Sequence, residues 1–131
     1  METNFLNAKI LIVDDHGPNV LLLTKLLKAH GYYNLIDTVD VRNMFTLYHQ
    51  EKPDLILLDL KMPYMDGFDI LDQLERFEEK PTTPIIIITS HHEMKNEEKA
   101  LRYGVYDFIA KPFDVNDVIQ RIQYTLEKAR A

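Results

Sequence analysis

The sequence predicts an α/β domain in which a parallel β-sheet is covered by helices on both faces. Two observations predict it. Five candidate strands alternate with five candidate helices along the 131 residues, the order that repeated βα units produce. Most of these strands are short unbroken runs of large apolar residues, such as Leu55-Ile56-Leu57-Leu58 and Ile85-Ile86-Ile87-Ile88, the pattern of a strand buried on both faces.

Lys9-Ile10-Leu11-Ile12-Val13 is the first strand and ends on Asp14-Asp15. Gly17-Pro18 breaks it, and Val20, Leu23, Leu26 and Leu27 then recur at helical spacing until His30-Gly31 supplies a stop. Asn34 to Val39 is a weaker strand, and Asp40 can cap a helix carrying Val41, Met44, Phe45 and Tyr48 at i, i+3, i+4 and i+7. Pro53-Asp54 leads into the central strand, Leu55 to Leu58, which stops on Asp59 where Pro63 and Asp66-Gly67 take over as turn formers.

Ile70, Leu71, Leu74 and Phe77 form the apolar stripe of a third helix, closed by the polar, proline-bearing stretch from Glu78 to Pro84. The next strand, Ile85 to Ile88, ends on Thr89-Ser90. Glu93 to Tyr103 is helical with a thin stripe of Met94, Ala100 and Leu101, so light packing and mobility are expected of it. Asp107-Phe108-Ile109-Ala110 is the last strand and ends on Lys111-Pro112; Asp114 then caps a final helix with Val115, Val118, Ile119, Ile122 and Leu126 on one face.

The totals narrow the function. A formal charge of −6 and a pI near 5.3, with no Lys/Arg cluster, disfavour a phosphate-backbone footprint, so no direct nucleic-acid binding is expected. Without cysteine there is no disulfide framework, no thiolate metal site and no thiolate nucleophile. No apolar run approaches a membrane span, and Met1-Glu2-Thr3-Asn4-Phe5 lacks the basic and apolar segments of a signal peptide, so a cytoplasmic protein with no membrane partner is expected. The chain is expected to form one domain over residues 1–131, long enough to bury roughly two thirds of its unfolded surface.

Right-handed crossovers put every strand exit of a parallel sheet on one edge, so Asp14, Asp15, Asp59, Thr89 and Lys111 converge there. Three carboxylates brought together repel, each pair by roughly 4 kcal/mol at about 4 Å and an effective dielectric near 20. Lys111 offsets one charge and a divalent cation two; an all-oxygen donor set favours Mg²⁺ or Mn²⁺ over Zn²⁺. Carboxylates, a hydroxyl and an ammonium around such an ion suit phosphoryl transfer, and Asp59 can accept the phosphoryl group as an acyl phosphate.

Over nearly its whole length the sequence resembles the CheY-like receiver domain of two-component response regulators. The resemblance rests on Ile12-Val13-Asp14-Asp15, Pro53-Asp54 through Asp59, Met62-Pro63, Met65-Asp66-Gly67, Thr89 and Lys111-Pro112-Phe113, in this order and spacing. It implies the flavodoxin-like doubly wound (βα)5 fold with strand order 2-1-3-4-5. It also implies that Asp59 takes a phosphoryl group from the phosphohistidine of a sensor histidine kinase or phosphotransfer protein, with Mg²⁺. Asp15 and Asp59 would bind the metal directly, Asp14 mostly through water, and the backbone carbonyl of Lys61 would complete the shell. Thr89 and Lys111 would hold the phosphoryl oxygens, and Phe108 would be the switch residue that turns inward as Thr89 moves. The Lys111-Pro112 peptide bond is expected to be cis, against about 5% of X-Pro bonds in general.

The same resemblance implies a phosphoprotein switch that catalyses only its own phosphorylation and dephosphorylation, not an enzyme acting on a metabolite. Its output would pass through the fourth helix, last strand and last helix, the α4-β5-α5 surface, to a downstream protein or output domain, and it leaves room for a phosphorylation-dependent homodimer. The sequence departs from the common pattern at His16-Gly17, where further acidic residues are usual, at Tyr64, where glycine is common, and at Phe108, which lacks a tyrosine hydroxyl. Lys61 and His91 occupy the two variable positions that tune phosphoryl lifetime in this family.

Plainer readings compete with these. Asp14 and Asp15 could serve only as an Asx turn before the first helix, and His91-His92-Glu93 reads as a solvated loop, because no third metal ligand follows at fixed spacing. Two rivals share part of the chemistry. A pseudo-receiver acts as an interaction module but is expected to lose Asp59, the acidic pair or Lys111, and all are present here. A haloacid dehalogenase-type phosphohydrolase places a second aspartate two residues after its nucleophile, and position 61 is lysine.

Overall fold

Alternation of side chains along buried strands sorts the core of this protein into two layers, one on each face of the sheet. In the computed structural model, which describes residues 5–77 and 83–130, strands and helices alternate throughout. They are β1 (Ile10–Val13), α1 (Gly17–Ala29), β2 (Leu35–Thr38), α2 (Met44–Glu51), β3 (Leu55–Leu58), α3 (Gly67–Phe77), β4 (Ile85–Thr89), α4 (Met94–Arg102), β5 (Asp107–Ala110) and α5 (Val115–Arg130). All strand pairs are parallel, in the order β2-β1-β3-β4-β5. This is the doubly wound, flavodoxin-like arrangement expected from the sequence.

Ile10, Ile12, Leu55, Leu57, Ile86, Ile88 and Ile109 pack with Val20, Leu23, Leu26 and Leu27 of α1 and with Val118, Ile119, Ile122 and Leu126 of α5. The alternate residues Leu11, Val13, Ile56, Leu58, Ile85, Ile87 and Phe108 pack with Met44 of α2, Ile70, Leu71 and Leu74 of α3, and Ala100 of α4. Each large side chain so buried contributes roughly 1.5–3 kcal/mol, which is why runs with no polar alternation settle in the middle of the molecule.

Register then levels the strand ends. Thr38, Val13, Leu58, Ile87 and Phe108 lie in one row across the sheet. The residues that follow β1 and β3, Asp14 and Asp59, are therefore neighbours on the same edge.

Several local expectations differ from what forms. The Asp40 carboxylate accepts from the Arg42 backbone N–H as a cap does, but what it caps is a 3-10 turn, Val41–Asn43, so α2 itself begins only at Met44. Tight first turns of this kind are common at helix starts. Val39 falls beyond β2 and is half exposed. In α4 only Ala100 is buried, while Met94 and Leu101 face solvent, so the expected stripe is narrower still. Val115, the first residue of α5, also lies outside the buried face.

The Phe77 side chain and residues 78–82, expected to finish and close α3, lie outside the described residues. Among the described residues no helix is long and apolar enough to cross a membrane.

Candidate functional site

Asp14 and Asp59 are carried to the sheet edge by backbone pairing and then fixed there by their own carboxylates. The Asp14 N–H donates to the Thr38 carbonyl (3.3 Å) and the Asp59 N–H to the Val13 carbonyl (3.0 Å), extending the ladder one residue past each strand. Asp14 Oδ1 accepts from the His16 N–H (3.0 Å), and Asp59 Oδ1 from the Leu60 N–H (2.7 Å). The remaining oxygens face one cation: Lys111 Nζ lies 2.8 Å from Asp14 Oδ2 and 3.4 Å from Asp59 Oδ2. Both carboxylates are buried, and the lysine side chain is nearly so.

The Asx turn at Asp14 and its place in the cluster are thus compatible, because its two oxygens do different work. Asp15 is exposed beside them, and Asp14, Asp15 and Asp59 each offer an oxygen within 4.8 Å of the others. Three carboxylates against one ammonium leave two negative charges unbalanced. An all-oxygen donor set with one exposed member, open to waters, fits a hard divalent cation of the Mg²⁺ or Mn²⁺ type.

Thr89 ends β4 with its side chain fully buried, and its Oγ1 accepts from the His91 N–H (3.1 Å). The Lys111 N–H donates to the Thr89 carbonyl (2.9 Å), which ties the hydroxyl's backbone to the cation's. The Lys111-Pro112 bond is cis. By alternation along β4, Thr89 shares the sheet face of Ile87, and Ile87 pairs with Phe108 on β5. Phe108 and Lys61 stand apart from the carboxylate group: Phe108 is buried in the apolar layer with Ala100 and Val105, and the Lys61 side chain is exposed. His91 and His92 are exposed and lie outside the acidic cluster found among the described residues.

One positioning residue escaped the sequence reading. The sequence marks Gly67 as a turn former, but its requirement is space. A Cβ there would lie 2.8 Å from the Asp59 carbonyl oxygen and 3.0 Å from Leu60 Cα, closer than a methyl group tolerates. Its N–H donates to the Leu60 carbonyl (2.7 Å), closing the β3–α3 loop against the acidic site. Asp66 and Asp69 exchange backbone-to-carboxylate bonds of 3.0 and 3.1 Å, a reciprocal cap that starts α3 just behind that closure. The Asp-Gly pair directly ahead of a helical pattern was the available signal.

Comparison with known proteins agrees with this fold. The family model described as the response regulator receiver domain matches residues 10–123. Protein PilH of Pseudomonas aeruginosa is 33% identical over 119 residues, covering 91% of this chain and 98% of PilH. The alkaline phosphatase synthesis transcriptional regulatory protein PhoP of Bacillus subtilis is 34% identical over 124 residues; the match takes in 95% of this chain but only 50% of PhoP, so the chain spans half of that relative. Among solved structures, the signal receiver domain of an HD domain-containing protein from Pseudomonas fluorescens has a TM-score of 0.85 at 26% identity, covering 95% of this chain and 98% of that one.

Proposed function

The chain belongs to the response regulator receiver domain family of two-component signal transduction, and from that premise we propose that it is a phosphorylation switch whose acceptor is Asp59. The observation that carries the proposal is the setting of Asp59, buried at the end of β3, with Lys111 Nζ at 3.4 Å and two further carboxylates within 4.8 Å. A carboxylate so held can attack the phosphorus of a phosphohistidine on a sensor histidine kinase or phosphotransfer protein. The new P–O bond forms as the P–N bond breaks, and the departing imidazole nitrogen keeps the bonding pair and takes up a proton.

Asp14, Asp15, Asp59 and the Lys61 carbonyl would hold the Mg²⁺, which when bound supplies charge neutralisation for the phosphoryl oxygens. Lys111 is near enough to Asp59 to take one of those oxygens as they arrive. Thr89 Oγ1 accepts from the His91 N–H, which leaves its own hydrogen to donate to another. Movement of Thr89 toward the phosphoryl group would open space for Phe108 to repack, changing the face formed by α4, β5 and α5. That face would engage a downstream protein, an output domain or a second copy of this chain. No enzyme family is indicated, and receiver domains are signalling switches. We place this chain in the cytoplasm, with residues 1–131 folding as one receiver domain.

The test is the intact mass after incubation with acetyl phosphate and Mg²⁺, for the natural sequence and for Asp59→Asn. A gain of one phosphoryl mass that needs Mg²⁺ and vanishes in the variant is expected. If neither protein gains mass with that donor, a second small phosphodonor and a cognate kinase, the pseudo-receiver reading replaces this one.

A further inference from the structure

Tyr64, at the tip of the loop that runs from Asp59 to Gly67, has φ +71°, a left-handed conformation that a bulky side chain adopts only when something holds it. The holder is visible. The Arg42 guanidinium lies 4.0 Å from the centre of the Tyr64 ring, and it is itself gripped by Asp40 in a two-pronged pair, Nε to Oδ1 at 3.0 Å and Nη2 to Oδ2 at 2.8 Å. The Arg42 backbone N–H also donates to Asp40 Oδ1 (3.0 Å). The side-chain hydrogen bond from Arg42, followed by this backbone bond, holds the Asp40 carboxyl below its ordinary pKa, so the pair stays charged at neutral pH.

The chain of contacts closes a ring around the acidic site. Asp14 donates its N–H to the Thr38 carbonyl, Thr38 Oγ1 exchanges bonds of 3.0 Å with the Asp40 backbone, Asp40 grips Arg42, and Arg42 caps Tyr64. Tyr64 in turn sits on the loop that Gly67 closes against Leu60 and Asp59. The contacts therefore run from one buried carboxylate to the other by way of the rim.

We propose that Asp40, Arg42 and Tyr64 form a latch that pins the β3–α3 loop to the β2–α2 connection, and that Arg42 and Tyr64 are positioning residues for the acidic site. The inference rests on the function proposed above, since the loop it pins carries Lys61, whose carbonyl is assigned there to the metal. Neither residue touches the reacting atoms. They act by keeping the loop in one conformation before any ligand arrives.

The test compares Arg42→Ala, Tyr64→Ala, the double variant and Tyr64→Phe, all substitutions at exposed side chains whose folding is checked by thermal unfolding. Two quantities are read: amide hydrogen exchange at Gly67 in metal-free protein, and Mg²⁺ affinity by calorimetry. An exposed cation–π contact implies that either alanine variant exchanges at Gly67 and loses Mg²⁺ affinity by roughly 2- to 5-fold, that the double variant goes no further, and that Tyr64→Phe restores both. Unchanged exchange in both alanine variants, or effects that simply add in the double, overturns the latch. Failure of the natural protein to bind Mg²⁺ would instead count against the proposed function, while the exchange data would still decide the latch.

Discussion

Lys111 Nζ lies 2.8 Å from Asp14 Oδ2, although 97 positions separate the two residues in the chain. The pair is nearly dry, with side-chain exposures of 14% and 4%, so its charges are weakly screened. Replacing Lys111 by methionine keeps most of the stem and removes only the charge, leaving Asp14 and Asp59 without their counter-ion. Breaking a buried pair from one side strands the other partner, so metal-free Lys111→Met is expected to lose about 1–3 kcal/mol of stability in urea unfolding. Added Mg²⁺ should recover more in the variant than in the natural protein, because it replaces the missing positive charge. A variant as stable as the parent without metal would show that the carboxylates do not need Lys111.

Gly67→Ala tests the close approach of α3 to Asp59. Besides the end of the Leu60 side chain, the added methyl meets backbone at Asp59 and Leu60 that cannot swing away, so the loop must shift. A cost of about 1–3 kcal/mol is expected, together with slower phosphoryl uptake at Asp59. Gly17→Ala is the control: a Cβ there meets nothing within 4 Å, and it should leave both quantities close to those of the parent. Equal behaviour of the two variants would remove the packing explanation.

Much of the architecture was legible because burial on both faces writes itself as unbroken apolar runs. β1, β3 and β4 could be located from Ile10, Leu55 and Ile85 onward, and topology alone then brings Asp14, Asp59 and Lys111 together. What escaped depends on contacts with no period. Nothing in the spacing of Arg42 and Tyr64 announces that they meet, and Gly67 looks like any turn glycine until Asp59 is placed against it. Met94 and Leu101 lie on the predicted stripe yet face solvent, because periodicity marks an apolar face without saying whether another element covers it. The 3-10 turn at Val41 was hidden by a capping signal that a full helix shares.

Tyr32 gives the stability an alkaline limit. It is buried after α1, and burial first, with the Glu127 charge second, pushes its phenol above the ordinary value of 10.0. The native state therefore favours the neutral phenol, and the unfolded chain releases that proton first as pH rises. The stabilisation is complete below about pH 10 and is lost as pH climbs through the raised native value. In melting experiments between pH 8 and 11 the decline in Tm should be shallower for Tyr32→Phe than for the parent. The remaining tyrosines titrate in both proteins, so the difference between the curves isolates Tyr32; parallel curves would sink the assignment.

The weak seat of α4 has a measurable consequence. α5 buries Val118, Ile119, Ile122 and Leu126, whereas α4 buries Ala100 alone. A further hold comes from Phe68 at the start of α3, whose ring lies 4.4 Å from Lys99 Nζ and stacks with Tyr103, the residue after α4, at a centroid distance of 6.5 Å. Contacts of these two kinds are each worth about 0.5–1.5 kcal/mol, so together they rival what one buried alanine supplies. Amides in α4 should accordingly exchange by local opening well before those of α5. Phe68→Ala should speed α4 exchange by roughly 5- to 30-fold, the factor that about 1–2 kcal/mol implies, with α5 unchanged. If α4 and α5 instead accelerate together, the substitution has lowered global stability, and Phe68 is core packing with no special hold on α4. Selective release would mark Phe68, which adjoins Gly67 and through it Asp59, as a mechanical connection between the acidic site and the helix proposed to move with it.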